Sequence, residues 1–205
     1  MNSGTPTPIY LSGSLVKDSD GPRTFSWSKT EIAELKQRLS PLRPQILNPS
    51  QRADDLADPL SAFGRDALQV KLSKAVMVDA RSKRGIGIGA EMMLAKMLRI
   101  PVVSVAPVDS HYRRRDITFL GQGLETWTHP FIASLSDFIA EEPAEAADWV
   151  FACLSEPESV QVKGPEFLTQ MMQYYLQSQI GNDPEMHDMV ELLGSNPETS
   201  LQLAA

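Results

Sequence analysis

Short apolar runs that alternate with helix-forming stretches constrain this chain most. The runs are Ile9-Tyr10-Leu11-Ser12-Gly13-Ser14, Gln45-Ile46-Leu47, Ala75-Val76-Met77-Val78-Asp79 and Val102-Val103-Ser104-Val105-Ala106. Between the first two, Ser28-Lys29-Thr30-Glu31 has the capping-box pattern and opens a helix with Ile32, Leu35 and Leu39 on one face. A second helix from about Ser61 carries Phe63, Ala67, Val70 and Leu72, and a third runs from Glu91 to Leu98. Strands interleaved with helices in this way predict a parallel sheet with right-handed crossovers, a flavodoxin-like α/β domain flanked by helices. Ligands in such sheets bind beyond the carboxyl ends of the strands. Tyr10 to Ser14, Asp79 to Gly89 and Ala106 to Asp109 all lie at that edge.

Beyond Ala106 the pattern loosens. Residues 107 to 130 are polar and read as irregular, with Arg113-Arg114-Arg115 as a solvated turn. Phe131-Ile132-Ala133 is expected as a fifth strand and Leu135 to Ala140 as a short helix. From Glu142 the chain turns helical, in segments 142–154, 165–180 and 183–193. This predicts an α/β domain over 1–141 and a helical C-terminal extension over 142–205. The Met171, Tyr174 and Tyr175 stripe reads as core or as a subunit interface.

Charge and cysteine usage narrow the function classes. A formal charge of −7 excludes non-specific binding of polymeric nucleic acid, yet leaves room for a local nucleotide site. No apolar run approaches a membrane span and the N-terminus lacks the pattern of a signal peptide, so a cytoplasmic location is the default. Cys153 stands alone and reads as a small buried apolar residue. His111, His129 and His187 have no metal-ligand spacing, so no metal site is expected.

The chemistry-bearing stretch is Val76 to Glu91. A strand ends in Asp79, and a loop with Gly85, Gly87 and Gly89 follows. Glu91 is then expected in the first turn of a helix, where free N–H groups favour negative charge. A carboxylate beside a glycine-lined cleft is a candidate nucleophile. Other assignments stand beside it. The glycines satisfy a dinucleotide-binding pattern, with Asp109 as ribose contact, or they form a simple turn with a capping glutamate. Asp79 either meets sugar hydroxyls or only ends a strand. Asp54, Asp55 and Asp58 either form a solvated loop or, since that loop borders the cleft, reach the base.

Together these residues resemble the nucleoside 2-deoxyribosyltransferase family, including its relatives that hydrolyse (deoxy)nucleoside 5′-monophosphates. The resemblance covers roughly residues 9 to 107. It is carried by Ile9-Tyr10-Leu11-Ser12-Gly13-Ser14, by Gly64-Arg65-Asp66-Ala67-Leu68 before the third strand, and by Gly87-Ile88-Gly89-Ala90-Glu91. It implies that Glu91 attacks the anomeric carbon and that Asp66, opening its helix, handles the proton on the departing base. Tyr10 would orient Glu91, while Ser12, Gly13, Ser14, Asp79, Gly85, Gly87 and Gly89 would line the substrate site. Cleavage of the N-glycosidic bond, with transfer to another base or to water, is the implied activity. No cofactor is implied. At least a homodimer is, with a neighbour's 107–130 segment completing each site and the helical extension near the interface. Gly85 stands where the family leads one to expect a polar side chain, and Leu15-Val16-Lys17-Asp18 departs from the monophosphate hydrolases. Lys83 and Arg84 are nonetheless placed to serve a 5′-phosphate, so nucleoside versus nucleotide stays open. A non-catalytic nucleotide-binding module on the same fold, and an interaction protein working through its helical tail, are the rival classes.

Overall fold

The computed structural model describes residues 5–13, 27–55 and 57–193. The chain forms two compact units, one up to Val162 and one from Lys163.

The first unit is built on strands β1 (Thr7–Ser12), β2 (Pro44–Leu47), β3 (Ala75–Asp79), β4 (Val102–Val105) and β7 (Phe138–Ala140). All are parallel, in the order β2-β1-β3-β4-β7. That is the flavodoxin-like order, and it places the topological switch between β1 and β3. Two helices, α1 (Lys29–Arg38) and α5 (Pro143–Ser155), cover one face. There Leu35, Leu39, Ala146, Ala147 and Val150 pack with Ile9, Leu11, Met77, Val103 and Val105. The other face belongs to α2 (Pro59–Leu72) and α3 (Gly87–Met97). Side chains alternate along a strand, so Tyr10 and Ser12 of β1 turn towards this second face.

Helix starts follow their capping chemistry. The Ser28 hydroxyl accepts from the Glu31 amide at 3.1 Å, and the Ser28 amide donates back to Glu31 Oε2 at 2.7 Å, which is the expected capping box. Asp58 caps α2 through the amides of Leu60 and Ser61, with Pro59 at the first helical position. Asp66 is therefore in the middle of its helix and does not open it. Asp55 bonds to the Ala57 amide, and Asp54 is paired with arginines, so the expected solvated acidic loop is instead a capped and ion-paired one.

The structure differs from expectation after β4. Residues 113–128 form an antiparallel hairpin, β5 (Arg113–Phe119) and β6 (Gln122–Thr128). Leu120 and Gly121 both take positive φ at its tip, as a two-residue hairpin turn requires. Arg113-Arg114-Arg115 is thus strand, with Arg113 bonded to Glu141 and Arg115 to Asp109. The next two assignments are exchanged. Pro130–Leu135 is helix α4, because Pro130 fits the first turn and the His129 ring accepts from the Phe131 amide. Phe138–Ala140 is the edge strand, with the Asp137 amide bonded to Val102 O at 2.8 Å as it begins.

The expected boundary at 141/142 also moves. Helix α5 buries Ala146, Ala147 and Val150 in the sheet's own core, so it belongs to the first unit. The second unit holds α6 (Glu166–Ser178) and α7 (Pro184–Leu193), joined through a turn at Ile180–Asn182. Tyr175 donates to Asp183 Oδ2 at 2.6 Å across that turn. No side chain of either helix is buried, and Met171, Met172, Tyr174, Met186 and Met189 are exposed. Among the described residues, no helix is long and apolar enough to cross a membrane.

Candidate active site

The β1/β3 switch point carries the site. Tyr10 and Ser12 stand two residues apart on β1, so their side chains leave the same face of the sheet. Both reach one carboxylate. Tyr10 donates to Glu91 Oε1 at 2.9 Å and Ser12 donates to Glu91 Oε2 at 2.5 Å. Tyr10 is fully buried apart from this bond, so its hydroxyl has a defined partner rather than a solvent one.

The helix bearing Glu91 begins at Gly87, four residues earlier than expected. Glu91 is therefore in the second turn, where the helix no longer has free amide donors to offer it. Its charge is met by the two hydroxyls instead. Burial pushes the Glu91 carboxyl above its ordinary value; the Ser12 and Tyr10 hydrogen bonds pull it down, and the nearby Asp66 charge adds to the rise. Burial and the Glu91 charge together push the Tyr10 phenol well above its usual range, which keeps it a hydrogen-bond donor.

The glycines divide in role. A Cβ at Gly87 would stand 3.8 Å from Glu91 Oε1, in ordinary contact with it, so Gly87 lies beside the carboxylate. A Cβ at Gly89 would meet the Phe131 ring at 4.0 Å, and one at Gly85 would meet nothing within 4 Å. Seven residues separate β3 from α3 and two of the glycines are already helical, so the tight strand-to-helix turn of a dinucleotide site is not formed. Asp109, the would-be ribose contact, is paired with Arg115.

Asp66 lies on α2, bonded to arginines and not to Tyr10 or Glu91. Its charge is felt by both Tyr10 and Glu91. Both its oxygens are occupied: Oδ2 accepts from Arg52 at 3.2 Å and Oδ1 from Arg65 at 3.3 Å. The sequence assigns no role to Arg52 or Arg65. Arg65 had a signal, since it adjoins Asp66. Arg52 had none.

Asp79 is on the opposite face. Its register with β1 aligns it with Leu11 and Ile9, not with Tyr10 and Ser12. There it is fully buried and accepts from Arg81 Nε at 2.9 Å and from Arg84 Nη2 at 2.5 Å. Arg81 is also bonded to Glu31 and lies over the Trp27 ring, while Trp27 donates to the Ser12 carbonyl at 2.9 Å. Asp79 thus anchors the loop after β3 rather than facing the Glu91 carboxylate. The same bond engages the guanidinium of Arg84, one of the two residues considered for a phosphate. Tyr112, another residue missed in the sequence, accepts the Arg84 amide at 3.0 Å and fastens the loop to the start of the hairpin.

Gly13 follows Ser12 at the carboxyl end of β1. Ser14 and the Leu15–Asp18 stretch lie outside the described residues. Among the described residues, no three His, Cys, Asp or Glu side chains come together as metal ligands.

No family model matches the chain, and no curated protein matches it by sequence. Among solved structures it is similar to a 2-desoxiribosyltransferase from Leishmania mexicana. The match has 14% identity and a TM-score of 0.49, and covers 71% of this chain and 97% of that one. At that identity and score the likeness assigns no role to any residue.

Proposed function

We propose that this chain cleaves the N-glycosidic bond of a nucleoside or nucleoside 5′-monophosphate through Glu91. One observation carries this: a half-buried carboxylate at the β1/β3 switch, held by two hydroxyls from a single strand and lying beside Gly87. A Glu91 oxygen bonds to the anomeric carbon as the C–N bond breaks, and the bond's electron pair leaves with the base. Asp66 handles the proton on the departing base. A second base or water then attacks the same carbon and frees Glu91. The Tyr10 and Ser12 hydrogen bonds favour the carboxylate, so they assist the second step, where Glu91 is the leaving group.

A panel of ribo- and deoxynucleosides and their monophosphates tests this, with free base followed in the presence and absence of a second base. Base release from at least one member supports the proposal, and acceptor dependence separates transfer from hydrolysis. Binding without base release from any member would favour the non-catalytic module.

The attack requires ionised Glu91. Its pKa is raised, so kcat/KM falls on acidification at a pH above the ordinary glutamate range. Asp66→Asn removes a negative neighbour, makes Glu91 easier to ionise and moves that acid limb to lower pH. A pH profile of both enzymes, on a substrate with a good leaving group, checks the sign. An unmoved or raised limb in the variant would separate Asp66 electrostatically from Glu91.

By the same proposal the chain works as at least a homodimer. Helices α2 and α3 pack together and leave Leu68, Leu72, Met93 and Met97 exposed, an apolar surface suited to a subunit contact. The β5–β6 hairpin is the element offered to a neighbour's site. Glu91→Gln and a deletion within the hairpin are each expected to be inactive alone and to recover partial activity when co-assembled. A fully active monomer on dilution would defeat the shared site.

A further inference from the structure

Arg52 lies in the polar stretch between β2 and α2, and only 7% of its side chain is exposed. Its guanidinium makes four hydrogen bonds. Nε donates to Asp54 Oδ1 at 2.9 Å and Nη2 to Asp54 Oδ2 at 2.6 Å, a bidentate pair that fixes the guanidinium plane. Nη2 also reaches the Ala62 carbonyl of α2 at 3.3 Å, and Nη1 reaches Asp66 Oδ2 at 3.2 Å. Arg65 closes the group from the helix side. It lies 3.5 Å from Asp54 Oδ1, donates to Asp66 Oδ1 at 3.3 Å, and is tied to the Gln51 carbonyl at 2.6 Å. Two arginines and two aspartates therefore form one closed cluster. Three of its bonds set the orientation of Arg52, and the fourth is spent on the carboxylate assigned to the leaving base.

We propose that Arg52 is a positioning residue, which holds the Asp66 carboxylate in the orientation that meets the departing base, with Asp54 as its anchor. The proposal rests on the role given to Asp66 above. Arg52 touches no reacting atom. Four of its five N–H groups are engaged by Asp54, Ala62 and Asp66, so its role lies in holding these groups. Asp66 has torsional freedom about its own side chain, and without Arg52 only Arg65 would restrain it. Misplacement of a proton-handling group by a fraction of an ångström to one ångström costs on the order of 10- to 100-fold in rate. Lysine cannot substitute. A single ammonium carries the charge but cannot make a planar bidentate pair and a third, differently directed bond.

The test compares Arg52→Lys and Asp54→Asn with wild type and with Asp66→Asn. Two substrates share one sugar. One carries a natural base, and the other a nitro-substituted base that departs without a proton. Arg52→Lys is expected to lower kcat on the natural base by on the order of 10- to 100-fold, with KM little changed and the nitro substrate nearly unaffected. Asp54→Asn should show the same selective loss, although Asp54 makes no bond to Asp66. Combining Arg52→Lys with Asp66→Asn should cost no more than Asp66→Asn alone, because the two act as a unit. Equal losses on both substrates would mean that the cluster only supports the fold, and would overturn the proposal. Wild-type rates in Arg52→Lys would overturn it too, since charge alone would then suffice. If wild type releases base from neither substrate, the glycosidic proposal itself falls and takes this one with it. If wild type is active and Arg52→Lys matches it, only the role of Arg52 is lost.

Discussion

Glu91→Gln is expected to lower base release by on the order of 10⁴-fold or more while substrate still binds. The substitution keeps the length and shape of the side chain. Its amide oxygen can still accept from Tyr10 or Ser12, so the local packing survives. What it loses is the negative charge and the lone pair needed to form a bond at the anomeric carbon. The loss should fall on kcat, with KM changed much less, because the nucleophile acts on the transition state and not on ground-state binding. Steady-state kinetics with a binding measurement on the variant check this. Near-normal turnover would remove Glu91 from the mechanism.

Asp137→Ala is expected to cost about 3–5 kcal/mol of stability, the range for removing one partner of a buried ion pair. Asp137 and Lys96 are both almost wholly buried and are bonded to one another. The same Asp137 oxygen also accepts the Val102 amide at 2.7 Å, where β4 begins. Without that carboxylate a buried ammonium loses a bonded counter-charge and a strand amide loses its acceptor. For a domain of this size the expected fall in melting temperature is roughly 10 °C. Adding Lys96→Met should restore part of the loss, because an apolar side chain has no charge to desolvate. Denaturant midpoints of the single and double variants decide the matter. A double variant less stable than Asp137→Ala would mean that Lys96 is not held mainly by this pair.

Periodicity made the sheet legible. The central strands β1 and β3 read as continuous apolar runs because helices cover both of their faces. The Ser28–Glu31 capping box was read directly from four residues and forms as expected. The hairpin was missed because its turn is Leu120-Gly121, without the Asn-Gly or Asp-Gly that marks such turns, and because three arginines open it. The exchange of α4 and β7 has a similar origin. Phe131-Ile132-Ala133 and Phe138-Ile139-Ala140 are nearly identical apolar triplets, and only Pro130 with its capping histidine separates helix from strand.

The site was legible in part for the same reason. Glu91 and Tyr10 stand out as polar groups amid apolar or glycine-rich runs, and the structure brings them together. Asp79 also stood out, but strand parity sends it to the other face; counting in twos from Tyr10 through the β1–β3 register would have shown this. The sequence puts Glu91 in the first helical turn because glycines read as loop. Two of them in fact begin the helix, where only the first turn bears their low propensity. Arg52 was beyond reach. Its importance comes from a loop folding back onto α2, a contact across fourteen residues that no local pattern encodes.

Mass analysis of the peptide carrying Glu91, after brief reaction with a slowly turned-over 2-fluoro-substituted nucleoside or nucleotide, tests the central claim most directly. The account predicts that this peptide gains the mass of the sugar, that the adduct appears in step with released base, and that an acceptor base discharges it. Base release with no adduct on wild-type Glu91, together with undiminished release by Glu91→Gln, would contradict it.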